Sequence, residues 1–151
     1  MIVTLTGCKA NTEVKPQSVF SSKFTLDYNS LQIKGELESL ANGQINVTVS
    51  SPESLNGIKV NINDDKINVN YKGLKTSYTV SELPNSTFFL LAKSSLDKVL
   101  KGENMQYEKQ DDGYASTVES EFGDITVKLN KDFKITSITI EQQGFYLKMQ
   151  S

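Results

Sequence analysis

The sequence predicts a mainly β domain: a single antiparallel curved sheet of about ten or eleven strands, forming an open half-barrel with one lid helix. Three observations lead there. Apolar residues recur at every second position from Phe20 onward, turn-forming residues separate these runs, and only the segment Ser86 to Lys101 changes to a helical period.

In chain order, the first strand is expected at Phe24 to Tyr28, where the alternation is imperfect. It is cleaner in Leu31, Ile33, Gly35 and Leu37, which alternate with Gln32, Lys34 and Glu36. Ile45, Val47 and Val49 alternate with Asn46, Thr48 and Ser50, and Ile58, Val60 and Ile62 with Lys59, Asn61 and Asn63. Ile67, Val69 and Tyr71 oppose Asn68, Asn70 and Lys72. Weaker patterns mark strands at Thr76 to Val80, Met105 to Glu108 and Tyr114 to Val118. Stronger ones follow at Ile125, Val127 and Leu129, at Ile138 and Ile140, and at Phe145, Leu147 and Met149.

The turns Asn42-Gly43, Asn63-Asp64-Asp65, Asp111-Asp112-Gly113, Asn130-Lys131-Asp132 and Gln143-Gly144 are short, so neighbouring strands run antiparallel. The sheet is a meander with Asn, Lys and Thr on its wet face. In the helix, Phe89, Ala92, Leu96 and Val99 or Leu100 form the apolar stripe, with Phe88 and Leu91 beside it; Lys93, Asp97, Lys98 and Lys101 face away. Pro84 ends the preceding strand, Ser86 serves as N-cap and Gly102 as the stop. A helical turn at Pro52 to Leu55 would carry Pro in its first position.

Such a sheet is on the order of 50 Å wide and apolar on one face, whereas the helix is ~24 Å long. The sheet must therefore curl around the helix. Val47, Val60, Val69, Phe88, Phe89, Leu91, Leu96, Val127 and Phe145 are the candidates for a hydrophobic cavity and its lid, or for ordinary core if the space is filled.

The 151 residues suit one domain, and 37% hydrophobic content is enough for one core. All 16 basic residues are Lys against 18 Asp plus Glu, a net charge of −2 with no basic run, so nucleic acid is not an expected partner. The lack of Arg, His and Trp together with frequent Asn suggests an AT-rich bacterial genome.

Cys8 is the single cysteine, which excludes an intrachain disulfide and a cysteine zinc cage. Leu5-Thr6-Gly7-Cys8 resembles the lipobox of bacterial lipoproteins, with Leu5, Thr6 and Gly7 as cleavage motif and Cys8 as lipid attachment point. On this reading residues 1–7 are a residual signal peptide, 8–19 the lipidated cysteine and a flexible tether, and 20–151 the binding domain. A full signal carries a basic region and roughly 7–15 apolar residues before the cleavage site, so Ile2, Val3 and Leu5 read as the tail of such a segment. The expected location is the cell envelope, extracytoplasmic and lipid-anchored to the membrane. The longest apolar run, Phe88 to Ala92, is far short of the ~20 residues of a spanning helix.

The order of elements resembles the LolA/LolB-like superfamily of periplasmic lipoprotein carriers and receptors. The resemblance rests on Ser51-Pro52-Glu53-Ser54-Leu55-Asn56-Gly57-Ile58-Lys59-Val60, the hairpin ending Tyr71-Lys72-Gly73-Leu74, the Pro84 turn, the Phe88-to-Leu100 helix and the final meander. It implies an open half-barrel that holds acyl chains against its concave face, and receptor-type members carry an anchor at a lipobox. The amphipathic N-terminal helix of the carriers is not found here, and their lid arginine has no counterpart. Clostridial relatives of this shape include a spore-germination lipoprotein that binds and supports a cortex amidase. The resemblance therefore implies two roles, binding of a lipid or other hydrophobic ligand and binding of an envelope or spore-cortex enzyme. Unpaired sheet edges add a homodimer as a third form of association.

Catalysis is not expected. Without His, and with its one Cys near the terminus, the chain lacks the common nucleophile and base pairs. Asp64-Asp65 and Asp111-Asp112 are explained by turn chemistry, and Glu119, Glu121 and Asp124 by a solvated acidic edge. No metal or cofactor is expected.

Overall fold

A computed structural model describes residues 14–82, 88–102 and 105–150. Leu5, Thr6, Gly7 and Cys8, like Pro84 and Ser86, lie outside the described residues. The strands are β1 (Phe20–Tyr28), β2 (Leu31–Ser39), β3 (Ile45–Ser51), β4 (Lys59–Asn63), β5 (Lys66–Tyr71), β6 (Leu74–Thr79), β7 (Glu108–Gln110), β8 (Gly113–Val118), β9 (Ile125–Asn130), β10 (Ile135–Ile140) and β11 (Phe145–Met149); the helix α1 is Phe88–Lys101.

All eleven strands form one sheet in the order β6-β5-β4-β3-β2-β1-β11-β10-β9-β8-β7, antiparallel throughout. Two meanders are thus joined where β1 pairs with β11, Leu26 opposite Leu147 and Tyr28 opposite Phe145. The sheet does not close. Its two edges, β6 and β7, are the strands on either side of α1 in the chain, so the helix connection runs from one edge to the other.

The curl follows from burial. Apolar side chains from β1 to β5 and from β9 to β11 belong to one core that also contains Leu91, Leu96 and Val99 of the helix. The 14 residues of α1 reach only ~21 Å, and a flat sheet of that many strands would leave its outer strands uncovered. Burying both halves against one helix requires the sheet to wrap around it.

The helix stripe contains one residue not expected there, Ser95. Leu91, Ser95, Leu96 and Val99 are fully buried, while Phe88, Ala92 and Leu100 flank them. A serine sits in the centre of the stripe because its Oγ donates to the Ala92 carbonyl at 3.1 Å, which satisfies the hydroxyl and keeps the helix surface thin there. Gly102 (φ +66°) ends the helix in the left-handed region, as expected of that glycine.

Smaller differences have local causes. β1 begins four residues earlier than its apolar pattern suggests because Ser22 occupies an inward position, where its Oγ donates to the Gln150 carbonyl. The strand expected at Met105 to Glu108 is displaced to Glu108–Gln110. Pro52 precedes the 3-10 turn Glu53–Leu55 rather than occupying its first position. Part of the segment read as a tether is docked on the domain: Val14 packs on the core, Gln17 donates to the Phe133 and Asp132 carbonyls, and Ser39 Oγ donates to the Ser18 carbonyl.

Candidate functional site

Turns bound the half-barrel at two ends. At one end lie the two-residue hairpin Asn29-Ser30, the turn Glu53–Leu55, the hairpin Lys72-Gly73 and the start of α1. Asn29, Ser30, Lys72 and Gly73 all take positive φ, as the tight hairpins of twisted strands require. These turns leave apolar side chains at the rim. Leu31, on the same face as buried Ile33, is 41% exposed, and Leu74, on the same face as half-buried Tyr71, is 77% exposed. Tyr28 and Phe88 meet with ring centroids 6.4 Å apart, and Tyr71 donates its hydroxyl to the Ser54 carbonyl. Leu31, Leu74 and the Tyr28–Phe88 pair give this end an apolar rim.

The opposite end is mixed, with Val19 and Leu40 exposed beside polar turns. A cleft of about 530 Å³ lies between the C-terminal half of α1 and the turns at residues 40–43 and 64–65, and Asp64, Asp65 and Lys101 line it. Lys93 and Asp97 pair across one helical turn, and Lys98 Nζ donates to the Glu119 carbonyl at 2.6 Å, fixing α1 to the β8–β9 connection, which the register places at the same end as Asn29-Ser30. Lys93 is 14% and Asp97 35% exposed, so this pair is partly buried. Among the described residues no group of three or more ligating side chains is placed to hold a metal.

The cavity candidates divide between core and rim. Val60, Leu91, Leu96, Val127 and Phe145 are buried in the core. Val47, Val69 and Phe88 are half-buried against it, and the side chain of Phe89 lies outside the described residues. Sequence reasoning missed Leu31, Tyr28, Tyr71 and Leu74. Their signal was their place immediately beside a tight turn at an inward position, where no further strand residue covers them.

It also missed two polar groups on the inward face. Ser116 Oγ and Tyr107 Oη are buried without a hydrogen-bond partner among the described residues. Ser116 pairs with Val127, and extending the β7–β8 register by one residue sets Tyr107 opposite it. Burial pushes the Tyr107 hydroxyl up to about 12 by desolvation. Because burial disfavours the phenolate, stability is unaffected by titration of this group below its unfolded value near 10 and falls as pH rises toward about 12. Tyr107→Phe should therefore be more stable than the parent at neutral pH, where an unpaired hydroxyl is removed, and the gap should widen above pH ~10. Urea midpoints across that range measure it.

No protein-family model matches the chain, and no curated protein does. Solved structures similar to it include the following two. One is a LolA superfamily protein from Nitrosomonas europaea, 14% identical with a TM-score of 0.44, the match covering 83% of this chain and 66%, just under two thirds, of that one. The other is the lipoprotein LppX of Mycobacterium tuberculosis, 15% identical with a TM-score of 0.43, covering 87% of this chain and 85% of that one.

Proposed function

We propose that the half-barrel is a binding domain for a lipid, acyl chain or other hydrophobic ligand, which enters at the apolar rim and lodges between α1 and the sheet. The observation that carries this reading is the exposed rim itself, since Leu31 and Leu74 face the concave side and yet remain open to solvent. The helix is well suited as a lid because its connections lead to the two free edges of the sheet. Val47, Val69 and Phe88, half-buried on the concave side, would meet the ligand first, and Val60, Phe89, Leu91, Leu96, Val127 and Phe145 would line its deeper path. In this reading Cys8 carries the lipid anchor, Leu5, Thr6 and Gly7 form the cleavage motif, and the domain works outside the cytoplasm at a membrane surface. Its task is binding, not catalysis.

Titration with the fluorescent fatty acid cis-parinaric acid tests the site. Leu31→Asp and Leu74→Asp replace exposed side chains, so stability should stay within about 0.5 kcal/mol of the parent. Affinity should fall about tenfold in the double variant, because apolar contact is lost and a charge meets the entering chain. Unchanged affinity would remove the rim from the account. For the anchor, palmitate labelling in a bacterial host bearing an added signal segment should mark the parent and not Cys8→Ala.

A second reading is favoured by one observation. The β6 edge has six residues with a single charge, Lys75, and leaves Tyr78 41% exposed, whereas the β7 edge is only Glu108–Gln110 and mostly charged. Long, weakly charged edges accept an added strand. A partner enzyme of the envelope or spore cortex, such as an amidase, or a second copy of this chain, would dock there. Ser77→Pro, at a position whose N–H points away from β5, should abolish such pairing in light scattering or pull-down from envelope extracts while leaving parinaric acid binding intact.

A further inference from the structure

The outer face of β3 to β6, opposite the helix, is built differently from the rest of the sheet. Asparagine is disfavoured in strands, yet Asn46, Asn61, Asn63, Asn68 and Asn70 fall in β3, β4 and β5. In the other described strands there is only Asn130, at the end of β9. Elsewhere the outer face uses the ordinary strand formers and lysine, for example Thr117, Thr126, Lys128 and Lys148.

Register aligns them. Glu38, Asn46, Asn61, Asn68 and Ser77 stand opposite one another across five strands. Hydrogen bonds run along this row in one direction: Ser77 Oγ to Asn68 Oδ1 at 2.6 Å, Asn68 Nδ2 to Asn61 Oδ1 at 3.5 Å, Asn61 Nδ2 to Asn46 Oδ1 at 2.7 Å, and Asn46 Nδ2 to Glu38 Oε2 at 3.4 Å. Gln44 Nε2 also donates to Asn46 Oδ1 at 3.1 Å. The amides are held in fixed orientations, and those of Asn61 and Asn68 each keep an N–H and acceptor capacity unused. A second row, Thr48, Lys59, Asn70 and Lys75, is aligned in the same way beside the first. Between the rows runs a groove of about 490 Å³ whose floor is strand backbone.

We infer that this groove binds an extended oligosaccharide, with its acidic groups toward the Lys59 and Lys75 wall. Its outward-pointing lining has no aromatic or aliphatic side chain, which excludes a lipid or apolar peptide as occupant. Two lysines balanced by Glu38 are too little charge for a polyphosphate. What the groove offers is a row of donors and acceptors repeated at the ~4.8 Å strand spacing, and a chain of hydroxyl and acetamido groups needs both at every unit. The groove lies on the face opposite the apolar rim, so this inference does not depend on the half-barrel holding a lipid.

The test is calorimetric titration of the protein with chitohexaose and with hexagalacturonate, read together with side-chain amide NMR. Both should bind saturably, the acidic hexamer more tightly, with shifts concentrated in the amides of Asn61 and Asn68. Asn61→Thr with Asn68→Thr should lower both affinities about tenfold without lowering the melting temperature, because Thr is the better strand former. Lys59→Met with Lys75→Met should remove only the preference for the acidic chain. The inference is overturned if neither hexamer binds at millimolar concentration, or if the threonine pair leaves binding unchanged. It is equally overturned if only the acidic hexamer binds and the lysine pair alone abolishes it, since that is charge attraction to a surface.

Discussion

Gly35→Ala is expected to destabilise the domain by on the order of 3 kcal/mol, lowering the melting temperature by roughly 6–12 °C. A Cβ at this position would lie 2.0 Å from the Thr48 carbonyl oxygen and 3.1 Å from the Phe24 ring. The first contact is with backbone and cannot be relieved by a rotamer change. β2 and β3 meet here at an irregularity in register between Lys34 and Gly35, which brings the two strands together where Gly35 faces inward. Accommodating a methyl group means pushing β3 away from β2, and β3 carries the whole β4 to β6 half of the sheet. Thermal and urea unfolding should show the shift with little change in urea slope; a loss below about 1 kcal/mol would mean that the strands separate easily here.

Leu96→Ala should act on stability and binding in opposite directions. Leu96 is fully buried in the middle of α1, and its truncation should cost about 2–5 kcal/mol through lost apolar contact and the space left behind. That space lies between the helix and the sheet, where an acyl chain is proposed to lodge. The variant should therefore melt earlier and yet bind cis-parinaric acid at least as tightly as the parent. Weaker binding in a variant that remains folded would place the ligand elsewhere.

Much of the fold could be read from the sequence because each strand carries its own apolar alternation, and the one helix breaks it. Ile45, Val60, Ile67 and Ile125 were assigned to the inner face by parity alone, and all are buried. The pairing of β1 with β11 could not be read. It joins residues at opposite ends of the chain, and nothing in Phe24 to Tyr28 names Phe145 to Met149 as the partner. Ser95 in the helix stripe could not be read for a different reason: a pattern search rejects a polar residue there, while Ser95 is satisfied by its own helix.

The candidate site was less legible. The apolar residues proposed as cavity lining are spread over the core and its margin, and the rim residues Leu31 and Leu74 acquire their meaning only from the turns beside them. The outer groove was visible as asparagines on a wet face, but their alignment depends on register across five strands. Register is fixed jointly by turn geometry and core packing, so no single segment reveals it.

The central claim, that an apolar molecule occupies the half-barrel beneath α1, is tested most directly by native mass spectrometry of the protein purified without detergent. The expected spectrum shows the polypeptide with one acyl lipid, which is released when the protein unfolds. A spectrum of the bare polypeptide, unchanged when a long-chain fatty acid is added in excess, would contradict the account.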